Sequence, residues 1–199
     1  MTWRRLIGSE GGNASVGFVV IAPAFLLLFF LVIEVAGAFF WWKTAEKATQ
    51  LGARMAIVRD PVATGVPPIN ERSDGGVFGL ACGHSSNPCN LDDQDVWVCE
   101  GGGAGCDPAA FQLVVAEMRR VFGGAFQDEN VRITYSYVEL GFAGGPFIPA
   151  VTVTLSGVPF GLFLGILSGL GGDGARALAT LPDISTTLTA EDLTTAGAG

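Results

Sequence analysis

The chain has 199 residues, of which 49% are hydrophobic and 15% are charged, and its net charge is −8. From Lys43 onward it holds seventeen acidic and nine basic side chains, so the negative surplus lies entirely in this part. An acidic surface repels phosphate polymers, which argues against nucleic acid as a partner. The 157 residues from Lys43 to the end suffice for one compact domain with a modest core.

A long apolar run near the N-terminus predicts a helix that crosses a membrane. The eighteen uncharged residues Val16–Ile33 continue to Trp42 with Glu34 as the only charged interruption. About 20 apolar residues span the hydrocarbon core of a bilayer. Because Arg4 and Arg5 precede the run, we expect a single-pass protein of the inner (cell) membrane, with a cytoplasmic N-terminus and a periplasmic or extracellular remainder.

The end of this run has the composition of a membrane interface. Trp41 and Trp42, followed by Lys43, are typical of the outer interfacial belt. The alternative is a cleaved secretory signal, because Ala36-Gly37-Ala38 resembles a small-residue cleavage site. The apolar core exceeds the roughly 7 to 15 residues of such signals, which favours the membrane helix.

The helical pattern continues beyond the membrane run. Small or apolar residues recur at helical spacing, at Ala45, Ala48, Gly52, Met55 and Ala56. Arg59-Asp60-Pro61 then closes the helix, because a residue before proline is pushed out of the α region. One helix from Val16 to Arg59 would be roughly 66 Å long, about twice the thickness of a bilayer core. We expect its outer half to support the chain's own domain, and a further hypothesis adds packing against similar helices in a filament.

Several residues of this helix resemble a known family. The residues that carry the resemblance are Gly12, Val16, Phe18, Pro23, Glu34, Gly37, Ala48, Gly52, Ala53 and Arg54. This pattern, over about a fifth of the chain, is similar to the N-terminus of TadE-like proteins. These are minor pilins or pseudopilins of the Tad (tight adherence) systems that build Flp-type pili.

The resemblance implies a site of processing and a set of partners. A prepilin peptidase would cut between Gly12 and Asn13, and the partners would be other Tad/Flp pilins and the inner-membrane assembly platform. In this interpretation eight residues serve helix packing and assembly, namely Phe18, Pro23, Glu34, Gly37, Ala48, Gly52, Ala53 and Arg54. The exposed domain would contribute to assembly, initiation or the tip of the pilus, and to adherence.

Gly17 departs from the family pattern. Prepilins carry a glutamate five residues after the cut, and it is thought to pair with the N-terminal amine of a neighbouring subunit. Gly17 offers no carboxylate. Two consequences are open: the peptidase mainly needs the preceding glycine and processing is unaffected, or the protein is not processed in the usual way. A third hypothesis places such a subunit at a filament tip.

Glu34 and Pro23 each allow two interpretations. Glu34 is either an intersubunit contact or an acid that is neutral or reaches interfacial water. Pro23 removes a backbone donor, which would help a subunit leave the bilayer, but prolines also occur in membrane helices without such a role.

All four cysteines lie in the irregular region from Pro61 to Asp107, which predicts disulfides in an exported chain. Two local loops, Cys82 with Cys89 and Cys99 with Cys106, fit the symmetric spacing, and a nested pairing is the alternative. A zinc site that includes His84 is disfavoured because no pair has the close spacing of zinc ribbons. Asp92-Asp93-Gln94-Asp95 lacks the spaced ligands of a calcium loop and is interpreted as a solvated acidic turn.

The remainder predicts a short helix followed by a small sheet. Asp107-Pro108 begins a helix that Gly123-Gly124 ends. Alternation predicts antiparallel strands over 131–137 and 151–155, with a third strand within 177–189. Val158–Leu170 is too short to span a bilayer and covers the core or forms an exposed apolar patch.

These elements predict an α+β fold with the general plan of pilins: a long N-terminal helix packed on a small antiparallel sheet, with a cysteine-rich loop region. The expected divisions are a leader (1–12), a membrane helix (13–42), its amphipathic continuation (43–60), the exported domain (61–193) and a disordered tail (194–199). No catalytic motif is present in the sequence, so neither an enzyme nor a cofactor is expected. The alternative to a pilin is a permanently anchored periplasmic scaffold or binding module.

Overall fold

The computed structural model describes residues 10–92, 94–161 and 178–190. Its elements are α1 (Glu10–Ile57), β1 (Val96–Glu100), α2 (Pro108–Phe122), a 3-10 turn (Asp128–Asn130), β2 (Val131–Ser136), β3 (Ala150–Leu155), β4 (Pro159–Gly161), β5 (Leu178–Thr180) and β6 (Ile184–Thr189). The chain divides into two compact units. The first comprises Met1–Trp41 and Gly161–Leu178, and the second comprises Trp42–Phe160 and Ala179–Gly199.

In the first unit, α1 is the one helix of the described residues that is long and apolar enough to cross a membrane. Its large side chains are exposed, with Phe18 at 72% and Phe40 at 69%. Pro23 lies inside the helix without ending it. Large exposed apolar side chains on every side of a helix are typical of a segment that meets lipid. The structure therefore contains the candidate membrane span that the sequence predicts.

In the second unit, α1 continues as a helix that packs through small residues. Ala45, Ala48, Ala53 and Ala56 are fully buried. Gly52 lies where α1 meets both α2 and β3, since a Cβ at this position would be 2.8 Å from Met118 Sδ and 3.4 Å from Val153 Cγ1. Small side chains on this face allow α1 to approach both elements closely.

The main sheet has four antiparallel strands in the order β1-β2-β3-β6. Its register places Cys99, Ile133, Val153 and Thr186 side by side. Ile133 and Val153 are fully buried and face the two helices, whereas the neighbouring row of Thr134, Thr152 and Thr187 lies on the open face. The domain is thus a two-layer α+β arrangement, in which the helices lie on one face of the antiparallel sheet.

Helix α2 follows its predicted signals closely. Asp107 caps it, because the Asp107 carboxylate accepts a hydrogen bond of 2.8 Å from the Ala110 amide. Its buried face is formed by Phe111, Val114, Val115, Met118 and Phe122. The helix ends at Gly123, which has φ +64°, a conformation that glycine adopts without strain.

The α+β prediction is confirmed: a long apolar helix, a small antiparallel sheet and two disulfides are present. The predicted strands over 131–137 and 151–155 correspond to β2 and β3, and the third to β6, which follows Pro182. The sequence reading missed β1, and it missed the pairing of β4 with β5. The leader 1–9, residues 162–170 of the apolar stretch and the tail 194–199 lie outside the described residues.

Candidate functional site

The membrane half of α1, here residues 15–41, carries half of the predicted assembly residues. Phe18 and Pro23 are exposed, whereas Glu34 and Gly37 are intermediate in burial. A Cβ at Gly17 or Gly37 would meet nothing within 4 Å in the described structure. Among the described residues, both glycines therefore leave room for lipid or for a neighbouring helix.

The domain half of α1, here residues 42–57, places its predicted assembly residues differently. Ala48, Gly52 and Ala53 are buried within the chain's own domain, and Arg54 is exposed. The packing that the structure shows for the three small residues is therefore within one subunit. Arg54 remains on the surface.

Thr49 is a buried polar residue of α1 that the sequence analysis missed. Its hydroxyl donates to the Glu46 carbonyl at 2.9 Å and lies 2.9 Å from Thr186 Oγ1 of β6. A threonine hydroxyl within a helix commonly bonds back to the preceding turn, so this side chain is satisfied despite full burial. Thr49 lies four residues after Ala45, on the face of α1 that holds the buried small residues. This helical spacing was the signal from which its burial could have been predicted.

The two disulfides join Cys82 with Cys89 and Cys99 with Cys106. This is the local pairing and not the nested alternative that the sequence left open. The second disulfide ties the end of β1 to the residue before Asp107, the cap of α2. Because all four cysteines are oxidised, the alternative zinc site has lost its thiolates. His84 is exposed in a loop, 3.0 Å from Ser86 Oγ.

Tyr135 fixes the chain just after α1. Its hydroxyl accepts a hydrogen bond of 3.0 Å from the Val62 amide, and the side chain is fully buried. Burial raises the pKa of Tyr135 to about 12, because the phenolate would lose its solvation; the hydrogen bond from Val62 acts in the opposite direction. The sequence placed Tyr135 in a strand, but nothing local indicated this long-range contact.

The acidic turn caps its own backbone. Asp95 Oδ2 accepts from the Asp92 amide at 2.8 Å, and Asp92 Oδ1 accepts from the Gln94 amide at 2.8 Å. Asp93 lies outside the described residues. Within the described ranges no group of three or more His, Cys, Asp or Glu side chains could hold a metal ion.

A cavity of about 230 Å³ lies where the end of α1 meets the start of α2. Apolar side chains of Met55, Val62, Leu113 and Val114 line it, together with the charged residues Arg59, Asp60 and Asp107. No histidine, serine or free thiol is among the described residues that line it.

Comparison with known proteins identifies the N-terminal segment. The model of the TadE-like protein family matches residues 12–54. We refer to this stretch as the TadE-like segment. No curated protein and no solved structure matches the chain.

The TadE-like segment covers most of α1 and extends over parts of both of its halves, from residue 12 to residue 54. It therefore contains the exposed apolar residues 15–41 and most of the part whose small residues pack in the domain. The match agrees with the resemblance seen in the sequence and implies a protein related to the Tad pilus. TadE-like proteins are structural rather than enzymatic, and a candidate membrane span agrees with a membrane-anchored Tad component.

Proposed function

We propose that this protein is a minor pilin or pseudopilin of a Tad-type pilus system. The observation that supports the proposal is that the TadE-like segment lies on a helix of two characters. The helix is apolar and exposed in residues 15–41, and in residues 42–57 it packs against a sheet through a buried stripe of small residues. A subunit that is held in a bilayer before assembly needs the first character. A subunit that then displays a domain needs the second.

The proposed mechanism is structural. The apolar half of α1 holds the subunit in the inner membrane, and on assembly it exchanges lipid for the helices of other pilins. Van der Waals packing drives such helix association, and small residues at the contact bring helices close. Gly17, Gly37 and the half-buried Glu34 supply surfaces for this exchange.

The proposed topology follows from the charges that flank the span. Arg4 and Arg5 remain in the cytoplasm, and the domain with its two disulfides lies in the oxidising compartment outside. The partners are other Tad/Flp pilins, the inner-membrane assembly platform and the prepilin peptidase. The displayed domain serves assembly, initiation or the tip of the pilus, and adherence.

Processing tests the proposal directly. The intact mass and N-terminal sequence of the membrane-extracted protein are compared in cells with and without the prepilin peptidase. We expect a start at Asn13 that depends on the peptidase. Gly12→Leu should abolish the cut, and the matched control Gly11→Ala should keep it. A Met1 start in both strains would contradict the proposal.

An uncut chain would favour a permanently anchored scaffold, which has no need of a leader site. That alternative is supported by the absence of a carboxylate at Gly17. If the cut occurs, Gly17→Glu tests the tip hypothesis. We expect the wild-type subunit at the filament end and the Gly17→Glu variant along the shaft, and an unchanged distribution would contradict the hypothesis.

A further inference from the structure

Charge is distributed unevenly between two parts of the domain. The domain half of α1 carries the cations Lys43, Lys47 and Arg54 against the single acid Glu46. Residues 61–95 carry five acidic side chains and one basic side chain. The domain half of α1 is therefore basic, although the part of the chain from Lys43 onward is acidic as a whole.

The three cations lie on one side of the helix. Lys43, Lys47 and Arg54 are spaced four and seven residues apart, so they project in nearly the same direction. All three are exposed, and the Lys43 side chain is 73% exposed. The buried stripe that includes Ala48 and Gly52 faces the opposite way. We call these three residues the basic stripe, which is about 16 Å long.

In the described part of the chain, the basic stripe makes one ion pair. Lys43 Nζ lies 2.8 Å from Glu46 Oε2, within the same turn of helix. No described carboxylate is recorded within ion-pair distance of Lys47 or Arg54. The described residues therefore neutralise the positive face only in part.

The complementary charge lies on the first disulfide-braced loop. Its acidic residues are Glu71, Asp74, Asp92 and Asp95, which we call the acidic loop. Backbone hydrogen bonds from Ser73 to Pro88 and from Asn90 to Glu71 join its two sides, and the Cys82–Cys89 disulfide closes it. The acidic loop is thus a braced surface rather than a loose tail.

The only cation of this loop is already engaged. The Arg72 guanidinium donates to the Gly76 carbonyl at 3.0 Å and lies 5.0 Å from the centre of the Phe78 ring.

Asn70 anchors the base of the loop, because its amide donates to the Leu140 and Pro146 carbonyls at 3.3 and 3.1 Å. The loop therefore presents a fixed negative surface.

We propose that the basic stripe of one subunit docks against the acidic loop of a second copy of this chain. The two surfaces have opposite charge and differ from each other, so the contact is heterologous and extends from copy to copy instead of closing into a dimer. Complementary charges of this kind fix register and orientation more than they add affinity. The inference rests on the proposed function only in that assembled subunits lie side by side.

The lysine content of the chain provides a selective test. Both lysines of the sequence, Lys43 and Lys47, belong to the basic stripe. A zero-length carbodiimide reagent joins an amine to a carboxylate only where the two groups touch. Full-length protein labelled with ¹⁴N and ¹⁵N is mixed in phosphatidylcholine vesicles, coupled, digested and analysed by mass spectrometry. We expect mixed-isotope peptides that join Lys47 to Asp92 or to another residue of the acidic loop.

Three variants make the result specific. Coupling of Lys43 to Glu46 occurs within one subunit and is the internal positive control. Arg54→Glu keeps both amines and should lower the mixed-isotope yield about threefold or more, since an exposed ion pair of this kind is replaced by repulsion. Arg120→Glu changes the net charge equally at an exposed position of α2 and should leave the yield unchanged. Adding Asp92→Lys to Arg54→Glu should restore coupling between copies.

Several outcomes would overturn the contact. One is coupling confined to Lys43 and Glu46 within a subunit, and another is an equal loss in Arg54→Glu and Arg120→Glu. Coupling between copies that is abolished by added phosphatidylglycerol would assign the stripe to lipid headgroups instead. The N-terminal peptide of protein from the native host reports processing separately. A cut at Asn13 without coupling between copies refutes this inference alone, and coupling without a cut refutes the pilin proposal alone.

Discussion

The two halves of α1 share one helix but meet different surroundings. In residues 15–41 the large apolar side chains are outside, as with Phe25 at 63% exposure. In residues 42–57 the completely buried apolar side chains are small, as with Ala48 and Ala53. Where a helix meets lipid, large side chains are tolerated all around it. Where it meets a sheet and a second helix, small side chains allow close approach.

The comparison shows that hydrophobicity alone does not tell which surfaces of a helix are internal. The more hydrophobic half is the exposed one, as is typical of a segment that meets lipid. The less hydrophobic half supplies the contacts of the core. Side-chain size and the position of charged residues distinguish the two halves better than apolar content does.

The largest expected effect on stability comes from adding a large side chain at Gly52, in the domain half of α1. Gly52→Leu should lower the free energy of unfolding of the domain by about 3 kcal/mol, because the new side chain would overlap Met118 and Val153. At Gly37 a Cβ would meet nothing within 4 Å of the described residues, so the matched variant Gly37→Leu should leave this free energy unchanged. Urea unfolding in detergent, monitored through hydrogen exchange of the β3 amides, measures the free energy of unfolding of both variants. Equal effects in the two variants would remove the distinction between the halves.

Loss of the hydrogen bond between the Val62 amide and the Tyr135 hydroxyl, just after α1, should have the next largest effect. Tyr135→Phe removes the acceptor of the buried Val62 amide and should cost about 2 kcal/mol of unfolding free energy. Thermal unfolding at neutral pH measures this loss. A variant as stable as the wild type would show that the Val62 amide finds another partner.

The same residue predicts an alkaline limit to stability. The pKa of Tyr135 is about 12 in the folded state and about 10 in an unfolded chain. Because the folded-state pKa is the higher one, the stability that the neutral phenol contributes is complete below about pH 10 and is lost as pH rises towards 12. Urea unfolding across this range should show the loss in the wild type, and a smaller loss in Tyr135→Phe. Identical pH profiles would contradict the assignment.

A smaller effect is expected from the polar contact between α1 and the sheet. Thr49→Val keeps the shape of the side chain and removes its hydrogen bonds to Glu46 and Thr186. We expect a loss of about 1 kcal/mol in unfolding free energy. The control Thr187→Val breaks the exposed bond to Thr152 on the open face and should change stability by less than about 0.5 kcal/mol. Reversal of this order in urea unfolding would contradict the burial argument.

The smallest effect is expected at the boundary between the halves. Lys43→Gln removes the exposed ion pair with Glu46 and should change the free energy of unfolding by about 0.5 kcal/mol or less. The effect should disappear in high salt because the pair is solvent-exposed. A loss above about 1 kcal/mol in urea unfolding would show that Lys43 supports the domain in some other way.

Local signals in the sequence were enough for most of the fold. The apolar run predicted α1, the Asp107-Pro108 cap and the paired glycines bounded α2, and period-two alternation located β2 and β3. In the candidate site, the family pattern was recognised because Gly12, Pro23 and the Gly-Ala-Arg step have fixed positions along one helix. These signals depend on neighbouring residues in the chain.

Long-range contacts were not predictable in this way. Strand β1 lies within a region rich in glycine and aspartate, and it is held as an edge strand by β2, whose partner residues come 32 to 40 positions later. The roles of Tyr135 and Thr49 arise from Val62 and Thr186, far along the chain. Symmetric cysteine spacing could suggest the local disulfides but could not exclude the nested pairing.

The central claim is that residues 15–41 of α1 meet lipid whereas residues 42–57 pack within the domain. Labelling from within the bilayer tests this claim most directly. The full-length protein is reconstituted in vesicles with a photoactivated apolar probe that stays in the hydrocarbon, and labelled positions are mapped by mass spectrometry. The account predicts labels on every side of the helix in residues 16–40 and none in residues 45–56. Labels spread evenly over both halves, or absent from residues 16–40, would contradict it.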